Sequence, residues 1–249
     1  MKHSKPKEEF KTWGDVFDRF THRTVYKLIT QGHFEGLKSP ISIGKESNVF
    51  SAIRKDGSRV MVKIYRLETC DFNKMYYYIN DDPRFEDLKR GKRNIILTWV
   101  QREFRNLLKA REAGIPVPTP IAFSNNVLVL EFIGDDDISP KLKDSFPINP
   151  KHFFKKIIDN MKRLYDAGLV HADLSAFNIL NYNEKPVFID FSQCTSLESS
   201  RAQEYLDRDI RNICIFFRKN SFECAEDEVK RYITKGSNNT LKKGVVFQK

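Results

Sequence analysis

The sequence predicts an α+β protein built as two lobes, and three observations carry that prediction. Residues 41–65 and 127–134 have the alternating or continuously apolar texture of strands. Residues 150–167 and 205–219 repeat apolar side chains at helical spacing. Between these regions the polar stretch DDDISPKLKDSFPINP reads as a linker, which puts the lobe boundary near 132–135. The chain has 249 residues, long for one compact domain and short for two full ones. The expected division is a helical segment over 1–35, a strand-rich lobe over 36–133 and a helical lobe over 134–249.

Taken in order, residues 12–34 set Trp13, Val16, Phe17, Phe20, Val25, Leu28 and Ile29 at mostly helical spacing, with Gly32 and Gly36 interrupting. ISIGKESNVFSAI, the polar turn KDGS and RVMVKIYR then read as strand, hairpin and strand. Residues 68–94 are polar, dotted with aromatics and poorly periodic, and 70–92 is expected to be a mobile loop. From 95 to 113, Ile96, Trp99, Val100, Phe104, Leu107 and Leu108 share one helix face, and Gly114 followed by PVPTP ends it. VLVLEFIG is a buried strand. Phe153, Phe154, Ile157, Ile158, Met161 and Leu164 form the inner face of the helix 150–167. GLVHADLSAFNILNY, the short strand PVFIDFS and a helix over 205–219 follow, and the tail beyond about 235 is expected to fray.

Composition narrows the function classes. Forty per cent of residues are hydrophobic, with 20 Phe and 9 Tyr, enough to build a core. The longest apolar runs fall far short of the roughly 18–20 residues of a membrane helix. MKHSKPKEEF has no apolar core of a secretory leader. The 4 cysteines show no C-x-x-C spacing, so neither a zinc site nor a disulfide framework is indicated. A cytoplasmic protein with no membrane partner is the expectation. The net charge of +10 points to an anionic partner, nucleotide or nucleic acid.

Four features occur in a fixed order. Ile43-Gly44-Lys45-Glu46-Ser47-Asn48-Val49-Phe50 is a glycine-containing turn between strands. It can offer backbone N–H groups and the Ser47 hydroxyl to phosphates, and it equally fits an ordinary hairpin turn. Lys63, flanked by Val62 and Ile64, lies in or beside a core, where a lone ammonium is costly unless paired; a snorkelling edge lysine fits as well. Glu103 falls near the edge of the apolar face of the helix 95–113, within reach of Lys63, or is a surface charge beside Arg102. The strongest feature is His171-Ala172-Asp173-Leu174-Ser175-Ala176-Phe177-Asn178, with Ile189-Asp190-Phe191 after it. One carboxylate to take a hydroxyl proton, and an amide oxygen with a second carboxylate to hold Mg²⁺ against phosphates, is what metal-assisted phosphoryl transfer needs. A strand lysine, a helix glutamate and Asp/Asn/Asp in this order is the protein-kinase arrangement.

The chain resembles the RIO kinases, an atypical serine/threonine protein kinase family, and most closely their type 1 branch in its compact archaeal form. SIGKESNVFSA, VKIYR, WVQREFRNLLKAREAGIPVPTP, LVLEFIG, GLVHADLSAFNIL, VFIDFSQ and YLDRDIRNICIFF carry the likeness, from about residue 25 to 219. Too few residues precede the glycine turn for the winged-helix domain of the type 2 branch. The resemblance implies a protein-kinase-like fold with a short N-terminal helical segment and a truncated C-terminal lobe, and ATP with Mg²⁺, or Mn²⁺ in its place. It implies that Lys63 contacts the α/β-phosphates and pairs with Glu103. Backbone groups of Glu131 and Ile133 would bind adenine, and Ser47 would help cover the phosphates. Asp173 would be the catalytic base, with Asn178 and Asp190 the metal ligands. Asp190 is also implied as the site of an aspartyl-phosphate.

Departures from ordinary kinases matter. Ala172 stands in place of the arginine that answers a phosphorylated activation loop. Ser175 stands where many serine/threonine kinases place a phosphate-stabilising lysine, so a positive charge is missing there. No APE motif follows, and 59 residues come after Asp190. Two functions compete on this scaffold. One is a kinase that phosphorylates itself or a protein substrate; the other is an ATPase-switched assembly factor acting on the pre-ribosomal small subunit and its rRNA. A non-catalytic RNA-binding module leaves the five site residues without a purpose.

Overall fold

Asp18 opens the first helix, α1 (Arg19–Thr30): its Oδ1 accepts the N–H groups of Phe20 and Thr21 at 2.8 and 3.0 Å. Thr21, Thr24, Val25 and Leu28 form its buried stripe. The structure, a computed structural model, describes residues 17–85 and 91–235. Trp13, Val16 and the tail beyond 235 lie outside the described residues.

β1 (Gly36–Ile43), β2 (Ser47–Ile53), β3 (Arg59–Tyr65), β4 (Pro120–Ser124) and β5 (Val127–Glu131) form one antiparallel sheet in the order β1-β2-β3-β5-β4. Pro40 sits in the edge strand β1 beside register shifts, where a missing N–H does least harm. The sheet has two apolar faces. Phe50, Ala52, Val60, Val62, Ile64, Val127 and Val129 cluster with Val25 and Leu28 of α1. Strand alternation sends Met61, Lys63, Tyr65, Leu128 and Leu130 to the opposite face. The apolar members of that set join the larger core with α3 (Lys92–Glu112). Lys63 thus lies between two α1-facing residues and points toward α3, because strands have a period of two.

The stretch 70–92 departs from the expected irregular loop. Phe72–Asn80 is a helix, α2, and Pro83–Phe85 a 3₁₀ turn, while 86–90 lie outside the described residues. Asp71 caps α2, its Oδ1 accepting from Lys74 N–H at 3.0 Å. Met75, Tyr78 and Ile79 are buried, with Tyr78 against Trp99 of α3. The stripe is only three residues long, too short to register as periodicity.

The C-terminal lobe is built on α4 (Pro150–Asp166), α5 (Ala202–Lys219) and α6 (Glu226–Thr234). Asn149 caps α4 and Pro150 occupies its first turn. Two small antiparallel pairs complete the lobe, β6 (Leu169–Val170) with β9 (Thr195–Ser196) and β7 (Ile179–Tyr182) with β8 (Lys185–Phe188). The helix α6 and the strand β4 were not anticipated from sequence. Among the described residues, no helix is long and apolar enough to cross a membrane.

Candidate functional site

Lys63 is 7% exposed, and its ammonium contacts Glu103 Oε1 at 2.8 Å and Asp190 Oδ1 at 3.1 Å. β3 supplies the lysine, α3 the glutamate, and the turn after β8 the aspartate. Glu103 is 1% exposed, so the position expected at the edge of the helix face is fully interior. Its other oxygen accepts from the Tyr65 hydroxyl at 2.5 Å, and Tyr65 is two residues from Lys63 on the same face of β3. Burial lifts Glu103 above its ordinary value against the pull of Lys63. Burial alone would lower Lys63, but Asp190 and Glu103 outweigh it and raise it well above 10.5. The 2.8 Å contact identifies a charged pair.

Asp190 adopts φ 62°, a conformation rare outside glycine, and Ser192 Oγ donates to its Oδ1 at 2.7 Å. Burial pushes this carboxyl up, but Lys63 and Ser192 prevail and leave it at about 2. Its side chain is 39% exposed, and among the described residues Oδ2 has no partner. Asp173 moves the other way: burial and the charge of Asp190 raise it to about 6, against Lys74, Arg208 and Asn178. Two neighbouring carboxyls are thus driven apart in acidity, one kept ionised and one poised to take a proton.

Asn178 connects the two loops. Its side-chain amide donates to Asp173 O at 2.8 Å and Oδ2 at 3.1 Å, and its carbonyl accepts from Ile189 N–H at 3.0 Å. The β7–β8 register pairs Ile179 with Phe188, which brings the residues just outside the hairpin, Asn178 and Ile189, side by side. Among the described residues, the Asn178 amide oxygen and Asp190 Oδ2 are two hard donors with no hydrogen-bond partner. That set suits Mg²⁺, which keeps waters and takes one or two protein oxygens plus phosphates. Among the described residues no group of three His, Cys, Asp or Glu side chains gathers as a self-sufficient metal cage.

The other expected residues line the same lobe at more distance. Ser47 begins β2 opposite Tyr65, and its carbonyl accepts from Gly44 N–H at 3.0 Å, closing the turn. Glu131 ends β5, its N–H donating to Thr119 O at 2.9 Å, so only its carbonyl is open to an adenine. The Ile133 carbonyl accepts from Ser139 N–H at 2.9 Å, while its own N–H donates to no protein group among the described residues. Among the described residues, no hydrogen bond or ion pair joins any of these three to Lys63, Glu103 or Asp190.

Sequence reasoning missed the group that shapes the loop around Asp173. Asp209 of α5 is 1% exposed and accepts Ala172 N–H and Leu174 N–H at 2.8 Å each, gripping the chain on both sides of Asp173. Ala172 is held at φ 65° between these bonds. Burial raises Asp209 to about 8 despite the two N–H donors. The signal was present: an acidic residue inside the apolar stripe Tyr205, Leu206, Ile210 and Ile213 needs a buried partner.

Comparison with known proteins agrees with this geometry. Residues 48–230 match the RIO domain family. The chain is 40% identical over 231 residues to the RIO-type serine/threonine-protein kinase Rio1 of Haloferax volcanii, covering 92% of this chain and 80% of that protein. It is 43% identical over 229 residues to the Rio1 of Methanocaldococcus jannaschii, covering 91% and 78%. Among solved structures, the Rio2 kinase-ADP/Mg²⁺-phosphoaspartate complex from Chaetomium thermophilum shares the fold, with a TM-score of 0.65 at 24% identity over 90% of this chain and 70% of that one. The chain belongs to the RIO family of serine/threonine-protein kinases.

Proposed function

We propose that the cleft between the lobes, divided at about residues 133–134, binds ATP with Mg²⁺ and transfers the γ-phosphoryl group to a hydroxyl. The observation that supports this most is the opposed acidity of Asp173, about 6, and Asp190, about 2, beside a buried Lys63–Glu103 pair. Lys63 contacts the α/β-phosphates and Glu103 fixes its direction. The turn at Gly44–Ser47 covers the phosphates, and the Glu131 carbonyl and Ile133 N–H hold the adenine. Asn178 and Asp190 would hold the metal, which would supply positive charge to the phosphates; Mn²⁺ has the same oxygen preference. Asp173 accepts the acceptor's hydroxyl proton as the new P–O bond forms. The bond from the γ-phosphorus to ADP breaks, and ADP leaves with its electron pair.

A second reading rests on Asp190. Its ionised, cleft-facing Oδ2 can attack the γ-phosphorus itself, giving an aspartyl-phosphate that water later hydrolyses. The Chaetomium relative is described as a phosphoaspartate complex. In that mode the protein is an ATPase switch, with the precursor of the small ribosomal subunit as the cytoplasmic partner its charge of +10 favours.

Labelling with γ-labelled ATP and Mg²⁺ separates the two. An acid-stable, hydroxylamine-resistant label that disappears in Asp173→Ala supports the kinase. A hydroxylamine-labile label at Asp190 with release of phosphate supports the switch. A wild-type protein that binds ATP yet shows neither label nor phosphate release contradicts both readings for the isolated chain.

A further inference from the structure

The loop His171–Asn178 contains no lysine or arginine, and Ser175 leaves it without a cation for the transferring group. Phosphoryl transfer spreads negative charge over three equatorial oxygens and depends on positive groups around them. Two cations from outside the loop stand beside it: Arg208 of α5, which bridges the Ala172 carbonyl and Tyr78 OH of α2, and Lys74, one turn before Tyr78 on the same helix.

Their engagement differs. The Arg208 guanidinium donates to the Ala172 carbonyl and to Tyr78 OH, the latter at 3.4 Å, and lies over the Tyr205 ring. It is committed to holding the loop. The Lys74 ammonium has, among the described residues, only Glu46 Oε1 nearby, at 4.0 Å, beyond a hydrogen bond. Its side chain is 46% exposed. The base beneath it is firm. Asp71 caps the helix at Lys74 N–H, and Met75, Tyr78 and Ile79 are buried. Glu46 belongs to the Gly44–Ser47 turn, and that turn is tied to the start of α2. Thr69 Oγ1 donates to Lys45 O at 2.6 Å, and Cys70 Sγ to Glu46 O at 3.2 Å. The lysine therefore stands between the turn assigned to the phosphates and the carboxylate assigned as base.

We propose that Lys74 is a catalytic residue of this kinase: its ammonium contacts the transferring γ-phosphoryl group and supplies the charge that Ser175 does not. This rests on the assignment of the cleft as an ATP site. The proton, bond and leaving-group changes are those already given. ADP lacks the group Lys74 touches, so its binding does not depend on this side chain.

The test compares wild type, Lys74→Ala and Lys74→Arg for single-turnover transfer from saturating γ-labelled ATP and for ADP affinity by calorimetry. Transfer by Lys74→Ala is expected to fall on the order of 100-fold. Its ADP affinity is expected to stay within about twofold of wild type. Lys74→Arg recovers a large part of the rate. Wild-type transfer by Lys74→Ala, or equal loss in both variants together with ADP affinity, overturns the proposal and leaves the ATP site standing. A wild-type protein that binds no ADP overturns the ATP-site assignment and the proposal with it.

Discussion

Arg102 and Glu103 are adjacent on α3, and each anchors a buried ionic cluster on its own side of the helix. Arg102 meets Asp82 Oδ2 at 3.3 Å with both side chains fully buried, and Arg84 meets the same oxygen at 2.6 Å. Its Nη2 also donates to the carbonyls of Cys194 and Gln193 at 3.1 and 3.3 Å, while Nη1 is buried without a partner among the described residues. Asn106, one turn on, donates to Cys194 O at 2.7 Å and Phe191 O at 3.1 Å. This cluster is closed: its acceptors are carbonyls and one interior carboxylate. The Glu103 cluster has the same ingredients but ends at Asp190, half exposed and with an oxygen to spare. Burial of charge is common to both. What marks one for chemistry is a solvent-exposed carboxylate with an oxygen left free among the described residues.

The two clusters also share a strand of chain. Residues 190–194 begin at the Lys63 contact and end at the Arg102 and Asn106 contacts. The closed cluster holds the segment whose first residue serves the open one.

Substitution should separate the clusters. Asp190→Ala is expected to lower phosphoryl transfer by about 1,000-fold or more, about 4 kcal/mol of transition-state stabilisation. Its unfolding free energy should change by less than about 1 kcal/mol, since the Asp190 side chain is partly solvated and Lys63 keeps Glu103. Arg102→Ala should reverse this pattern. It leaves Asp82 buried beside one remaining arginine and strips the Gln193 carbonyl of its donor, while the Cys194 carbonyl keeps Asn106, so denaturant unfolding should show a loss of about 3–5 kcal/mol. Any activity lost at temperatures well below its midpoint should be small by comparison.

A milder test uses pH. The folded pKa of Asp173, about 6, lies above its ordinary 3.8. As a base it must be ionised, so kcat/KM should rise as pH increases through about 6 and then level off. A profile already flat from pH 5 upward contradicts Asp173 as the base. The linked stability runs the other way. A raised folded pKa contributes stability that is whole below the unfolded pKa and lost as pH climbs through the folded one. Asp173 and Asp209 therefore weaken the fold progressively between pH 3.8 and their raised values, about 6 and about 8. The smallest effect is at the far side of the sheet. Asp18→Ala removes the cap of α1 and should reduce stability by about 1 kcal/mol with transfer unchanged.

Much of the open cluster was legible because it rests on local rules. Strand alternation places Lys63 opposite Val62 and Ile64, and loop spacing pairs Asp173 with Asn178. The closed cluster was not legible. Arg102 on an amphipathic helix reads as a solvated charge until Asp82 is brought under it by the 3₁₀ turn, and that turn lies in a stretch whose sequence shows no period. The same holds for α2, whose buried Tyr78 packs on Trp99 and Tyr205 from elsewhere in the chain. Asp209 is intermediate: its place in an apolar stripe signals a buried partner, but only the folded loop shows that the partners are backbone N–H groups.

The most direct test is single-turnover transfer from γ-labelled ATP by Asp190→Asn, a near-isosteric change that removes the charge, measured beside its denaturant midpoint. The account predicts a loss of transfer of about 1,000-fold with the midpoint at or near that of wild type. Wild-type transfer by a folded Asp190→Asn protein would contradict the assignment of the Lys63–Glu103–Asp190 cluster to the chemistry.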